Sequence, residues 1–114
     1  MPELMIRFHP STSVVDVCGD LDRCSAPELA RQLSGVLDDG LVLDVSGVGF
    51  IDVGGLRTLL ALDARLRGAG HRLVLAAVPR PVQLLLDNVE LEDPFVTVST
   101  SAHVPTREPL EPSA

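Results

Sequence analysis

The sequence predicts an α/β fold with a mixed, mostly parallel sheet, and three observations lead to this expectation. Apolar segments of strand length alternate with segments of helical periodicity along most of the chain. Glycine and proline separate these segments. The resulting order is β-β-α-β-α-β-α-β, and strands that alternate with helices form parallel sheets with right-handed crossovers and helices packed on them.

Two strands are predicted at the start of the chain. Residues 4–10 and 13–19 have the composition and the alternation of strands. Because only Pro10-Ser11-Thr12 separates their apolar parts, we expect them to pair antiparallel. Residues 19–25 then read as a loop.

The first helix is predicted to begin at Ser25. Ser25 and Glu28 have the spacing of a capping box, and a proline between them suits the first turn. Gly40 is expected to end the segment in a left-handed conformation. The apolar residues that share one face of this helix are Leu29, Leu33, Val36 and Leu37.

The remaining elements follow the same alternation. Strands are predicted over residues 41–47, 71–78 and 93–98, a helix over residues 54–67, and a shorter helix opening at Pro81.

In the helix over residues 54–67, one apolar face is directed to the sheet, and Leu62 lies at its edge, where we expect it to be exposed. Asp63 and Arg67 are four residues apart and can pair on the helix surface, contributing a few tenths of a kcal/mol.

Length and composition indicate one soluble domain. The 114 residues are 46% hydrophobic, enough for a single core, and contain no apolar run of membrane-spanning length. We expect the domain to cover residues 1–98 and the proline-rich residues 99–114 to form a flexible tail. The N-terminal segment lacks the pattern of a secretory signal, so a cytoplasmic location is expected.

Charge and cysteine usage exclude several functions. A net charge of −7 argues against nucleic-acid binding and fits solubility or a basic protein partner. Cys18 and Cys24 form no metal-binding pair. Cys18 is expected to be a core residue and Cys24 an exposed thiol, with redox regulation as an alternative role. No phosphate-binding glycine motif, nucleophile elbow or catalytic set is present, so we expect neither an enzyme nor a cofactor or metal site.

The segment FIDVGGLRTLL, residues 50–60, marks the passage from a strand to a helix. Asp52 is placed to cap the helix by accepting from the N–H groups near Gly55 and Leu56. Gly54 and Gly55 permit a tight turn and can leave the helix start bare for a docking protein. The alternative is an ordinary capped helix whose glycines serve close packing.

The segment LVLDVSGVGFIDVGGLRTLLALDARLRGAG, residues 41–70, resembles the core of STAS domains, in particular bacterial anti-sigma factor antagonists. GDLD at residues 19–22 resembles their motif before the first helix, and the order of elements agrees over residues 4–98. The resemblance implies a STAS fold and binding to a kinase-type anti-sigma factor, which frees a sigma factor. In that family the kinase phosphorylates the serine after the motif aspartate, and the phosphate breaks the complex.

Carried over by residue, Asp52 matches the motif aspartate, and Gly55 with the following leucine matches its Gly-Leu. Asp22 matches the acid of the earlier loop. The phosphoacceptor position falls on Val53, which has no hydroxyl. We therefore expect the fold without the usual phosphorylation switch.

Two more positions depart from the family pattern, since Gly54 replaces another small residue and Arg57 adds bulk and charge. Thr58 and Ser46 are alternative phosphoacceptors, although a helix-surface position for Thr58 and a turn position for Ser46 explain these residues better. The expected partner-binding surface consists of Asp22, Arg23, Asp52, Val53, Gly54, Gly55, Arg57 and Thr58.

A second interpretation remains open. STAS-like domains also serve as cytoplasmic subunits of lipid-transport ABC systems, which need no phosphorylation. The sequence leaves the oligomeric state open between a monomer and a weak homodimer.

Overall fold

A computed structural model describes residues 3–9, 12–35 and 40–100 of the chain. Strands and helices alternate in it as the sequence predicts. The elements are β1 (Met5–Phe8), β2 (Val14–Leu21), α1 (Ala26–Leu33), β3 (Leu41–Ile51), α2 (Val53–Gly68), β4 (Leu73–Ala76), α3 (Arg80–Asp87) and β5 (Val96–Val98).

The described strands form one sheet in the order β1-β2-β3-β4-β5. β1 pairs antiparallel with β2, and the other neighbours are parallel, which confirms the predicted mixed sheet. Because each crossover steps in the same direction, the helices lie on one face. Buried side chains of all three helices accordingly share one core with the sheet, for example Leu29, Leu59 and Val82. A smaller cluster around Val14, Val42 and Ala76 contains strand residues alone.

Strand β3 contains two irregularities that decide which side chains face the core. Its register with β2 shifts twice. The pairs that show this are Asp16–Asp44, Cys18–Gly47, Gly19–Val48 and Asp20–Phe50. Each shift adds one residue to β3, as in a β-bulge, so Val45, Val48 and Ile51 are buried at a spacing of three instead of two. Ser46, expected in a turn, lies within this strand.

Strand β2 is longer than expected, and the predicted capping box is wrong. Gly19–Leu21 continue the strand, because Leu21 enters the core. The Ser25 hydroxyl donates to the Asp20 carbonyl oxygen at 2.7 Å and makes no cap to α1. Glu28 bonds instead to Arg31 and Gln32 on its own helix. Ser25 therefore fastens the turn that precedes the helix.

The other boundaries differ by a few residues. Helix α1 ends at Leu33, and the predicted apolar positions Val36 and Leu37 lie outside the described residues. Gly40 has the expected positive φ, at +82°. β4 ends at Ala76, because Ala77 leaves the extended conformation with a φ of +54°.

Helix α2 buries a wider face than its sequence pattern indicates. Leu62 is 1% exposed, so the expectation that it would be exposed is wrong. It lies three residues after Leu59 and four before Leu66, and all three enter the core.

Asp63 is 2% exposed and accepts hydrogen bonds from three residues, Arg67, Arg72 and Leu73. Its two carboxylate oxygens accept from Arg72 at 3.1 and 3.2 Å, and Oδ1 also accepts from the Leu73 N–H at 2.9 Å. Arg67 donates to it at 3.1 Å and reaches Asp93 at 3.0 Å. Burial would raise the pKa of Asp63, but hydrogen bonds from Arg72 and Leu73 and both guanidinium charges hold it below its ordinary value. The Asp63–Arg67 pair, predicted to lie on the helix surface, is thus part of a network of ion pairs around a buried carboxylate.

No described helix is both long and apolar enough to cross a bilayer. The predicted tail begins at residue 99, and its residues 101–114 lie outside the described part of the chain.

Candidate docking site

Asp52 organises the corner between β3 and α2. Its backbone is extended, with φ −119° and ψ −175°, and its Oδ1 accepts from the Gly55 N–H at 2.9 Å. The Leu56 N–H bonds to the backbone carbonyl of Asp52 at 3.0 Å. The predicted cap is therefore present at Gly55, whereas Leu56 uses the main chain.

The same aspartate joins this corner to the loop between β2 and α1. Its Oδ2 accepts from the Arg23 N–H at 3.3 Å, and its own N–H donates to the Leu21 carbonyl at 3.3 Å. Parallel neighbouring strands end at one edge of the sheet, so their two loops meet there. One carboxylate and one N–H hold the two loops together.

The two glycines serve close packing between these loops. A Cβ at Gly54 would lie 2.5 Å from Cβ of Arg23, and one at Gly55 would lie 2.2 Å from the Leu21 carbonyl oxygen. Both distances are too short for any side chain. The start of the helix is therefore covered by the neighbouring loop, and Gly55 is buried. Gly55 therefore permits the close packing inside the corner and is not part of its exposed surface.

Asp22 orders the loop that carries Arg23. Its Oδ1 accepts from the Cys24 N–H and from the Ser25 N–H, both at 2.9 Å. The hydrogen bond from Ser25 is the main reason why the pKa of Asp22 is below its ordinary value. The carboxylate is thus directed at its own backbone.

Both cysteines are exposed thiols. This agrees with the expectation for Cys24, whereas the core position expected for Cys18 is wrong. Cys18 lies between Val17 and Gly19 on β2, and Val17 is the neighbour that enters the core. Gly47 on β3 leaves the space for the Cys18 sulfur, since a Cβ there would lie 2.5 Å from it.

Helix geometry separates the expected surface residues of α2. Val53 is the first helical residue and is 52% exposed. Arg57 is exposed and lies one turn further on, only about 40° around the axis from Val53. Thr58 is half-buried and lies about 140° around the axis from Val53. Thr58 therefore lies on the flank of the helix and does not share the direction of Val53.

Ser46 is remote from the corner. It is exposed on β3, and its hydroxyl donates to Oδ1 of Asp44 at 2.7 Å. Six residues of nearly extended chain, roughly 15–20 Å, separate it from Asp52.

Phe50 is an exposed residue near the end of β3 that the sequence pattern does not single out. It is 48% exposed and comes two residues before Asp52. Gly47 and Gly49 are the sequence signal that could have predicted its exposure. Glycine inside a strand often marks a β-bulge, and a bulge changes which face of the sheet the following side chains point to. The corner thus combines Asp22, Arg23, Asp52, Val53 and Gly54 with Arg57 one turn away. Phe50 precedes the corner on β3 and faces the side of the sheet opposite to the buried Ile51. Among the described residues, no cluster of histidine, cysteine and carboxylate side chains could hold a metal ion.

Comparison with solved structures shows the same fold. A protein from Thermotoga maritima, described as a candidate anti-sigma factor antagonist, has a TM-score of 0.71 with 16% identity, over 87% of this chain and 88% of that one. The anti-sigma factor antagonist SpoIIAA in its unphosphorylated form has a TM-score of 0.64 with 11% identity, over 87% and 90% of the two chains.

A third structure is closer in sequence. An anti-sigma factor antagonist from Mycobacterium paratuberculosis is 31% identical over 75% of this chain and 78% of its own, with a TM-score of 0.54. The family model described as "Mlab, STAS domain" matches residues 4–98, which include every described strand and helix. The chain therefore belongs to the STAS domain family.

Proposed function

We propose that this protein is an anti-sigma factor antagonist that binds a kinase-type anti-sigma factor through the corner around Asp52 and so releases a sigma factor. Binding is not controlled by phosphorylation at the usual position. The observation that best supports this proposal is that a valine, Val53, occupies the half-exposed first position of α2, directly after the capping Asp52. The role is one of protein–protein docking without catalysis, and its place is the cytoplasm, where sigma factors act.

Val53 supports a permanently unmodified docking surface. A phosphate at this position would add about −1.5 to −2 charge beside the carboxylates of Asp22 and Asp52. Valine offers no oxygen to receive it, and its size is close to that of an unmodified serine or threonine. The alternative acceptors are poorly placed, because Thr58 is half-buried on the helix flank and Ser46 lies far along β3.

Binding of single-residue variants tests the proposal. The purified chain is titrated calorimetrically with each kinase-type anti-sigma factor encoded in the source genome. We expect the unaltered chain and Val53→Ser to bind one of these proteins with similar affinity. Val53→Asp should bind about tenfold or more weakly, because a charge would be placed in the docked surface.

Val53→Asp should remain folded, since an acidic residue in the first turn of a helix is favoured by the helix dipole. A thermal melt of each variant checks this. Undiminished affinity of Val53→Asp would remove Val53 from the interface. Absence of binding to every one of the anti-sigma factors would contradict the proposed role itself.

A second candidate is a STAS-type subunit of a lipid-transport ABC system. One observation keeps it open, since the matching family model is described as "Mlab, STAS domain" and not as an anti-sigma factor antagonist. Co-purification from the source cell separates the candidates. Recovery of an ABC ATPase with its permease would favour the transport role, and recovery of an anti-sigma factor the regulatory one.

A further inference from the structure

The two carboxylates of the docking corner are directed at the backbone. Asp52 accepts from the Gly55 and Arg23 N–H groups, and Asp22 accepts from the two N–H groups that follow Arg23. N–H donors compensate a carboxylate charge locally. The acidic residues of the corner therefore hold the loops in place and present little of their charge to a partner.

The cationic side chains of the corner are not compensated in this way. Arg23 and Arg57 are both exposed, and neither forms an ion pair with a carboxylate of the described residues. Arg67 and Arg72 at the other end of α2 are, in contrast, paired with Asp63. A chain with a net charge of −7 thus has, at its candidate docking site, two arginines that no described carboxylate pairs with.

The two arginines lie near one point of the surface. The backbone and Cβ of Arg23 pack against Gly54, as the 2.5 Å approach to a Cβ there shows. Arg57 lies one turn beyond, about 60° around the axis from Gly54. The arginines therefore approach the first turn of α2 from the loop and from the helix.

One apolar side chain accompanies them. Val53, the first residue of α2, is 52% exposed and lies about 40° around the helix axis from Arg57. Arginine is among the residue types most enriched at the positions that dominate binding energy at protein interfaces. A partner that fits this surface offers an apolar recess for Val53 and carboxylates for the arginines.

We propose that the docking corner binds an acidic protein surface, which Arg23 and Arg57 orient and Val53 anchors. The inference rests on the proposed function and names the chemistry of the partner's complementary face. The overall negative charge of the chain fits a basic partner, whereas this site fits an acidic one. Opposite charges across the interface fix its register and speed its formation.

Charge reversal at two positions, with a matched control, tests the inference. The double variant Arg23→Glu/Arg57→Glu is compared with Arg65→Glu, which changes an exposed arginine eight residues beyond Arg57 on the same helix. Affinities are measured for the kinase-type anti-sigma factor that binds the unaltered chain, across a salt titration. We expect the double variant to bind at least about tenfold more weakly at low salt. Added salt should weaken binding of the unaltered chain but strengthen that of the double variant, because the two glutamates repel the acidic surface. Arg65→Glu should change the affinity by less than about twofold.

Each outcome decides between alternatives. The double variant changes the net charge twice as much as Arg65→Glu does. A loss of binding free energy in Arg65→Glu that reaches half of the loss in the double variant would overturn the inference, because the effect would then follow net charge and not position. Full affinity in the double variant would overturn it while leaving the proposed function intact. Absence of binding by the unaltered chain would reject both.

Other occupants of the corner are tested with the same variants. Arginine-dependent binding to phosphatidylglycerol vesicles, without binding to any of the anti-sigma factors, would overturn the inference in favour of a lipid surface. A dimer in sedimentation that the double variant abolishes would assign the corner to a second copy of the chain. A variant that melts as the unaltered chain does excludes unfolding as the cause of a loss.

Discussion

Helix α2 depends on an aspartate at each end, and the two sites differ in almost every other respect. Asp63, toward its C-terminal end, is buried and is held by Arg72, Arg67 and the backbone of Leu73. Asp52, at its N-terminus, is half-exposed and binds backbone N–H groups of Gly55 and Arg23.

The difference shows how one helix can be fixed firmly and still offer a free surface. At the Asp63 end, ion pairs of Arg67 and Arg72 join α2 to the start of β4 and to the segment around Asp93. At the Asp52 end, backbone groups join the loops, so Arg23 and Arg57 remain free of ion pairs with the described carboxylates. The first arrangement stabilises the fold, and the second leaves the two arginines available for the recognition that we propose.

The largest effect is expected at the buried end. Asp63→Ala leaves the Leu73 N–H and two guanidinium groups without their shared acceptor, and should lower the free energy of unfolding by about 3 kcal/mol. Equilibrium unfolding in urea measures this loss. Asp93→Ala is the control, because Asp93 is exposed and should cost less than about 1 kcal/mol. A loss at Asp63 no larger than that at Asp93 would contradict the assigned network.

Acid should weaken the Asp63 end selectively. The folded-state pKa of Asp63 lies below its ordinary value of 3.8, so its contribution is complete above that pH and is lost as the pH falls through the lower folded-state pKa. The difference in unfolding free energy between the unaltered chain and Asp63→Asn should therefore be constant near neutral pH and shrink below about pH 4. Urea unfolding across this range checks the trend. A difference that grows on acidification would have the wrong sign for a depressed pKa.

At the other end of the helix, the packing of the loops against Gly55 should matter most. A Cβ there meets the Leu21 carbonyl oxygen, which belongs to a strand and cannot move freely, so Gly55→Ala should destabilise the chain by about 2 kcal/mol. Gly68→Ala is a matched control in the last turn of α2, where a Cβ meets no atom. It should be neutral or stabilising by up to about 1 kcal/mol. Equal effects at the two glycines would show that close packing is not the reason for Gly55.

The smallest stability effect is expected for the cap itself. Asp52→Ala removes one acceptor from Gly55 and Arg23 in a half-exposed setting and should cost about 1 kcal/mol. Asp52→Ser keeps an oxygen for Gly55 and should recover part of the loss. Thermal unfolding of both variants tests the order. A serine variant less stable than the alanine variant would argue against capping as the function of this side chain.

Local patterns were sufficient to predict the alternation of elements and the cap at Asp52, because both depend on residues close in sequence. The Asp63 network was underestimated because its partners Arg72 and Asp93 are distant in sequence and meet only in the folded sheet. The capping box at Ser25 failed for a local reason, since the carbonyl oxygen of Asp20, five residues earlier, accepts from the hydroxyl. Neither irregularity of β3 follows from alternation, and so the exposure of Phe50 was missed.

The candidate site was only partly accessible from sequence. The proximity of the Asp22 loop to Asp52 followed from the family resemblance, and the close contact of Arg23 with Gly54 needed the structure. The angle of about 140° between Thr58 and Val53 around the helix axis follows from helix geometry once the start of α2 is known.

We propose that the corner docks on a kinase-type anti-sigma factor without a phosphorylation switch. The most direct test follows the complex over time after addition of MgATP, with size-exclusion chromatography for binding and intact mass for modification. We expect the unaltered chain to stay bound and unmodified, whereas Val53→Ser should gain one phosphate and dissociate. Phosphorylation and release of the unaltered chain would contradict the proposed function and would assign the switch to another residue.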